Sequence, residues 1–405
     1  MRTTLLSAVC VISPLFLGAQ DCSTGRYTDP GAFPDVTVTQ AVEFGSNTAV
    51  SGGTQILRMD VYEPTGDLLT ERPVVLVAFG GSFIAGTRAD VADICMTFAH
   101  MGYVAVAPDY RVGFFLPNEA TTTRAVMRGS HDMKACVRYL RKTVAEDGNP
   151  YGIDPDRIIS GGVSAGAISA IHATYLDQEA EIPAVLVPEA PALGGVEGNS
   201  GTPGYSSAVF ACYSFSGAIG DTSWIVPNDR PLASVHEVGD NVVPYYTQEV
   251  AVIGIPTGLI ASGSHDIHVR LDNIEVPNCF LSYPTNGHVG YLTSDPVNSV
   301  GFVAQFMADL ICDRPLTCTS GPTAVVERTF GADLDAFPNP TAGPVRIEVP
   351  VGATATLLSA DGRVLMTDLS ANGVVRFDLG AYADGVYLVR TNGAHSGQVR
   401  VVKAD

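Results

Sequence analysis

Residues 157–172 read RIISGGVSAGAISAIH, and the reading of this stretch decides the fold. A short apolar run ends in a cluster of small residues, and a stretch with helical character follows. Between them lies Gly162-Val163-Ser164-Ala165-Gly166, which fits the pattern G-x-S-x-G. In that pattern a serine sits on a sharp strand-to-helix turn, with its hydroxyl projecting from the end of a sheet. Glycines two places before and two places after it leave room where side chains would collide with the turn. The pattern alone is cheap. With 42 Gly in 405 residues, about 0.3 chance matches are expected. Its weight therefore comes from its surroundings.

Those surroundings alternate between strand and helix. ILRMDVYEP (56–64) alternates like a strand, and PVVLVAFG (73–80) and YVAVAPDY (103–110) are unbroken apolar runs of the kind found in buried parallel strands. The segment 89–102 between them has helical periodicity and stops at Gly102. A second helix is expected over 131–148, ended by Gly148 and Pro150. Further strand cores fall at 209–215, 231–238 and 277–284, with a closing helix over about 295–312. The alternation predicts an α/β fold with a doubly wound, mostly parallel sheet. Such sheets carry their reactive groups at the carboxyl ends of the strands, where Ser164 lies.

The rhythm breaks over 319–343. Beyond it come PVRIEVP, TATLLSA, RVLMTDL, GVVRFDL, GVYLVRT and GQVRVVK, short β-rich segments separated by Gly, Asp and Asn turns. They predict a small all-β sandwich domain. The expected organisation is a signal peptide over 1–20, a catalytic domain over 21–318, a linker over 319–333 and a β-sandwich over 334–405. The signal peptide is read from one Arg, an apolar run from Leu5 to Leu17, and small residues at Gly18 and Ala19.

A reactive serine needs a base to take its proton and an acid to orient that base. With Ser164 as nucleophile, Asp240 and His288 follow in the order Ser, Asp, His. Asp240 sits on a Gly-Asp turn after the strand at 231–238, and His288 lies between Gly287 and Gly290 after the strand at 277–284. Asp221 and Asp272 lack a comparable strand-end turn. His236 falls inside a strand and reads as structural. His265 and His268, three apart with one Asp between them, make a poor metal signature. No metal and no cofactor are expected. The oxyanion formed during acyl transfer needs backbone donors, expected from Ala165 and from the Gly-rich loop Phe79-Gly80-Gly81-Ser82-Phe83. The irregular stretches 111–129, with Phe114, Phe115 and Leu116, and 188–207, together with the single Trp224, are candidates to shape a pocket.

A formal net charge of -19 argues against nucleic-acid or anionic-membrane partners. Beyond the leader no apolar stretch reaches the ~18 residues of a membrane span. Removing Cys10 with the leader leaves seven cysteines, an odd number, in an exported chain where disulfides form. Cys312–Cys318 and Cys95–Cys136 are the expected pairs.

The segment AFGGSF (78–83) resembles the HGGG-type oxyanion loop of carboxylesterases and lipases. APDYR (107–111), YGIDPDRIISGGVSAGA (151–167), GDNVVPY (239–245) and NGHVGY (286–291) are similar to other segments of the same α/β-hydrolase family. The resemblance spans roughly residues 35–312. It implies Ser164 as nucleophile, His288 as base, Asp240 as acid, and Gly81, Ser82 and Ala165 as oxyanion donors. Phe79 stands where that family usually has His, and Ser82 where it has a third Gly. The tail, from FPNPTAG (337–343) to GQVRVVK (397–403), resembles the C-terminal sorting domain of type IX secretion cargo. That resemblance implies passage across a bacterial outer membrane by the secretion machinery, with release or attachment at the cell surface. The expected function is a secreted serine carboxylesterase acting on a small-molecule or polymer-borne ester. A serine peptidase on the same fold and a non-catalytic surface adhesin are the rival readings.

Overall fold

The computed structural model describes residue 22 and residues 25–319, 334–349, 351–359, 364–370, 372–392 and 397–404. The expected signal peptide, and the expected linker apart from Thr319, lie outside the described residues. The chain forms two compact units, residues 1–321 and 322–405.

In the larger unit the elements run β1 (Val36–Thr48), β2 (Thr54–Pro64), β3 (Arg72–Leu76), α1 (Ala92–His100), β4 (Val104–Pro108) and α2 (Glu119–Glu146). They continue with β5 (Ile153–Ser160), α3 (Ala165–Tyr175), α4 (Ala190–Leu193), β6 (Ala211–Phe215), β7 (Ala218–Ile219) and β8 (Leu232–Glu237). Next come β9 (Thr247–Val252), β10 (Ile255–Gly263), α5 (Ser264–Asn273), β11 (Asn278–Tyr283), α6 (Tyr291–Ser294) and α7 (Pro296–Ile311). Eight strands form one sheet in the order β1-β2-β4-β3-β5-β6-β8-β11. Only β1 against β2 and β2 against β4 pair antiparallel; every pair from β4 to β11 is parallel. Residues of β3, β4, β6 and β8 are buried throughout. Helices on both faces of such a sheet require continuous apolar runs rather than alternation, which is why these strands were legible.

Two expectations need correction. The second helix begins at Glu119, not near 131, because Asn118 caps it: Thr121 N–H donates to Asn118 Oδ1 at 3.0 Å, and Thr121 Oγ accepts from Asn118 N–H at 3.1 Å. The disulfides are Cys22–Cys312 and Cys279–Cys318, and Cys95, Cys136 and Cys212 are buried free thiols. Cys95 and Cys136 cannot meet because the sheet lies between them. Cys136 Sγ is 3.8 Å from Met59 Sδ, whereas Cys95 interacts with Asp60 and Tyr62, and neighbouring residues of a strand face opposite ways. After α7 the chain returns to the start of β11, where Cys318 meets Cys279 rather than Cys312.

The smaller unit contains β12 (Ala336–Phe337), β13 (Pro344–Glu348), β14 (Thr354–Ser359), β15 (Val364–Leu369), β16 (Val374–Asp378), β17 (Gly385–Asn392) and β18 (Gly397–Lys403). They form two antiparallel sheets, β12-β13-β16 and β15-β14-β17-β18. In β13 burial alternates, with Val345 and Ile347 joining Leu357, Phe377, Val389 and Val401 in one core. This is the pattern of half-buried strands facing each other.

Candidate active site

Ser164 occupies the turn between β5 and α3 with φ 55° and ψ -119°, a conformation that disfavours most side chains. Sheet contacts hold it there. Val163 N–H donates to Ala78 O at 2.9 Å and Ser164 N–H to Phe215 O at 2.8 Å. Both flanking glycines are obligatory. A Cβ on Gly162 would lie 2.5 Å from Ala78 O, and one on Gly166 would lie 2.2 Å from the same atom. The turn is thus pressed against the end of β3, and the Ser164 side chain is left to project past the sheet.

Asp240 and His288 reach the same point from two neighbouring strand ends. The Asp240 side chain is fully buried three residues beyond β8. Its Oδ1 accepts from Val242 and Val243 N–H at 2.8 and 3.0 Å, and its Oδ2 lies 2.7 Å from His288 Nδ1. His288 Nε2 lies 2.7 Å from Ser164 Oγ. Since Nδ1 faces a carboxylate it carries a proton, and in the neutral ring Nε2 is then free to accept one from Ser164. Burial alone would push the Asp240 carboxyl up. Donation from His236, His288 and Val242 outweighs it and holds the group well below the usual carboxylate range. The loop carrying His288 is anchored by buried Glu237, which accepts from Thr285 Oγ at 2.9 Å and from Gly290 N–H at 3.3 Å.

The loop after β3 comes within van der Waals reach of the serine: a Cβ on Gly80 would lie 3.3 Å from Ser164 Cβ. Gly81 O accepts from Ile84 and Ala85 N–H at 2.9 and 3.2 Å, which folds the loop into a tight turn. Gly81, Ser82 and Phe83 all have positive φ. Among the described residues the amides of Gly81, Ser82 and Ala165 donate to no protein acceptor. Phe79 is buried, stacked 4.2 Å from Tyr110, whose hydroxyl donates to Phe79 O at 2.8 Å. The apolar ring therefore supports the loop where carboxylesterases and lipases usually have His.

Ser164 opens onto a cavity of about 100 Å³. Its walls include Met127 of α2, Ile168 of α3, Trp224, and Val250 and Leu259 of the β9–β10 hairpin. Trp224 is thus at the site as expected. Phe115 and Leu116, 74% and 83% exposed, are not part of its wall; Phe83 is. His172 also lines it, with Nδ1 2.8 Å from Ile168 O and Nε2 accepting from Gly220 N–H at 3.2 Å. Burial pushes this imidazole down to about 4, so it is a neutral wall.

The other polar candidates stand elsewhere. Asp221 accepts from Ser223 N–H and Asp272 from Asn278 Nδ2. His265 contacts Asp266, and His268 is stacked on Phe280. Among the described residues there is no group of three or more potential metal ligands. His236, assigned above to structure alone, lies with Nε2 3.2 Å from Asp240 Oδ2. Its place in an apolar strand hid it, since nothing in PLASVHEV shows that the following turn folds back upon it.

Residues 59–192 match the BD-FAE family, a span that contains Ser164 and the loop after β3. Together with the sheet order this decides the fold. The larger unit has the α/β-hydrolase fold. Lipase 1 and Lipase 2 of Geotrichum candidum are each 30% identical to the chain, over 132 and 131 residues. These matches take in 31% and 30% of the chain, and the chain spans only 23% of the length of either lipase. Esterase 2 of Thermogutta terrifontis phosphorylated by paraoxon is 20% identical, with a TM-score of 0.44 over 64% of this chain and 86% of that one. In sequence the chain is thus similar to lipases over about a third of its length. Residues 335–403 match the secretion system C-terminal sorting domain, which marks the α/β-hydrolase for type IX secretion to the cell surface or the surrounding medium. No helix among the described residues is long and apolar enough to cross a membrane.

Proposed function

We propose that the α/β-hydrolase is a serine carboxylesterase working through an acyl-enzyme on Ser164. One observation carries the reading: a continuous line from Asp240 Oδ2 through His288 to Ser164 Oγ, both links at 2.7 Å, on a serine whose strained turn opens to a cavity. Ser164 passes its proton to His288 Nε2 as Oγ attacks the ester carbonyl carbon. The negative charge on the former carbonyl oxygen is met by the unpaired amides of Ala165 and of Gly81 or Ser82, each such donor being worth about 3 kcal/mol. His288 returns the proton to the departing alcohol oxygen. A water then gives a proton to the same nitrogen as it attacks the acyl carbon; the acyl–Oγ bond breaks, the acid leaves, and His288 returns the proton to Ser164 Oγ. Asp240 keeps the ring oriented and stabilises the imidazolium throughout. No step needs a metal or cofactor.

The cavity is small against the ~300–1,000 Å³ of drug-sized sites, and its wall is mainly apolar. Short, uncharged acyl groups fit this description. The test is turnover of nitrophenyl esters of increasing chain length and of peptide anilides by the mature protein, alongside Ser164→Ala. Hydrolysis of short esters, with no activity and no organophosphonate labelling in the alanine variant, is expected. Unchanged turnover in Ser164→Ala would refute the reading, and preferential cleavage of the anilides would turn it toward a peptidase.

A further inference from the structure

The carboxylate of Asp240 faces two imidazoles, and the esterase mechanism above uses only one of them. His236 lies in β8, four residues before Asp240, and its side chain is fully buried. Its Nε2 faces two acceptors, Asp240 Oδ2 at 3.2 Å and Val243 O at 3.3 Å. A ring nitrogen between a carboxylate and a carbonyl carries a proton, because a lone pair there would be repelled by both. In the neutral ring Nδ1 is then the acceptor. It lies 2.8 Å from the hydroxyl of Ser264, the buried first residue of α5, and that hydroxyl can supply the proton.

The contacts therefore continue beyond the three residues already described. Ser264 Oγ meets His236 Nδ1, His236 Nε2 meets Asp240 Oδ2, and Asp240 Oδ2 meets His288 Nδ1, which leads to Ser164. Oδ1 is occupied by two backbone amides, so Oδ2 is the atom whose direction is open. The second N–H fixes it. We propose that His236, held by Ser264, is a positioning residue that keeps Asp240 Oδ2 aimed at His288 and offsets the charge of this buried carboxylate. This inference rests on the serine-esterase reading. It assigns His236 no contact with substrate, and His236 is not part of the cavity wall. Its effect is on the orientation of the His288 ring as charge develops there, so it acts on kcat and leaves KM unchanged.

The test compares His236→Phe, which keeps an aromatic shape and removes the N–H, with His236→Gln, whose side-chain amide places an N–H near the position of Nε2. The expected result on a short nitrophenyl ester is a roughly tenfold fall in kcat at unchanged KM for His236→Phe, with His236→Gln restored to within about threefold of wild type. Wild-type kcat in a folded His236→Phe, or a loss that glutamine fails to restore, overturns the inference. Should His236→Phe not fold, Ser264→Ala reads the same line: a fall in kcat of about threefold at unchanged KM supports it, and no change overturns it. Ser164→Ala in parallel separates the two levels. If that variant still turns over ester, the serine reading fails; if it is dead while the His236 and Ser264 variants behave as wild type, only the positioning role fails.

Discussion

Asp240→Asn puts the proposed acid to a strict test, because the structure dictates what an amide in that place must do. Four donors converge on the carboxylate: Val242 and Val243 N–H on Oδ1, His288 and His236 on Oδ2. An asparagine offers one acceptor oxygen and one NH2 group. The two backbone amides cannot turn away, so the oxygen stays with them and the NH2 faces the imidazoles. His288 then has to accept at Nδ1, which moves its proton to Nε2, the nitrogen 2.7 Å from Ser164 Oγ. A protonated Nε2 cannot take the serine proton. Losses from a wrong tautomer of this kind reach about 10⁴-fold in kcat, or roughly 5 kcal/mol of transition-state stabilisation. Asp240 is not part of the cavity wall, so KM should hold. Steady-state kinetics on a short nitrophenyl ester at neutral pH, with a melting curve to verify folding, measures both. A folded Asp240→Asn variant retaining kcat within tenfold of wild type would refute the assignment of this carboxylate to His288.

The remaining expectations concern the cysteines and the cavity. The Cys22–Cys312 bridge spans 290 residues, so its contribution through the unfolded chain belongs near the top of the ~2–5 kcal/mol range; Cys22→Ser should lower the melting temperature by roughly 10 °C, and an unchanged value would count against the bridge. Alkylation without reductant should label no cysteine of the folded mature protein and, after unfolding, only Cys95, Cys136 and Cys212; peptide mapping that finds label on Cys279 or Cys318 contradicts the pairing. Trp224→Ala opens one wall of the cavity and should raise kcat/KM for an eight-carbon acyl ester relative to acetate by about tenfold, within the ~10–200-fold that one methylene's fit is worth; an unaltered chain-length profile would remove Trp224 from the acyl site.

The parallel strands were legible because double burial writes itself as continuous apolar sequence, and Ser164 because its turn demands glycine at two fixed places. Asp240 and His288 could be nominated from their strand-end turns. What the sequence hid has common physical causes. The β9–β10 hairpin turns on Ile253 and Gly254, both at positive φ, where Asn-Gly or Asp-Gly would have signalled a turn. The start of α2 carries three consecutive threonines, poor helix formers whose cost is offset by the Asn118 cap. Disulfide partners were misread because sequence proximity says little about which Cβ atoms a sheet brings together.

The end of β8 explains why Asp240 and His288 arrive together. Its last two residues point to opposite sides, as strand neighbours must. His236 faces the turn that carries Asp240, while Glu237 grips the loop that carries His288 through Thr285 and Gly290. A Cβ on Gly287 would lie 2.8 Å from Glu237 Oε1, so a side chain before the histidine would have to displace the carboxylate that makes this grip. One strand end therefore fixes both partners of the Asp240–His288 hydrogen bond, and the parallel pairing of β8 with β11 sets the spacing between them. Ser164 approaches separately, on the β5–α3 turn.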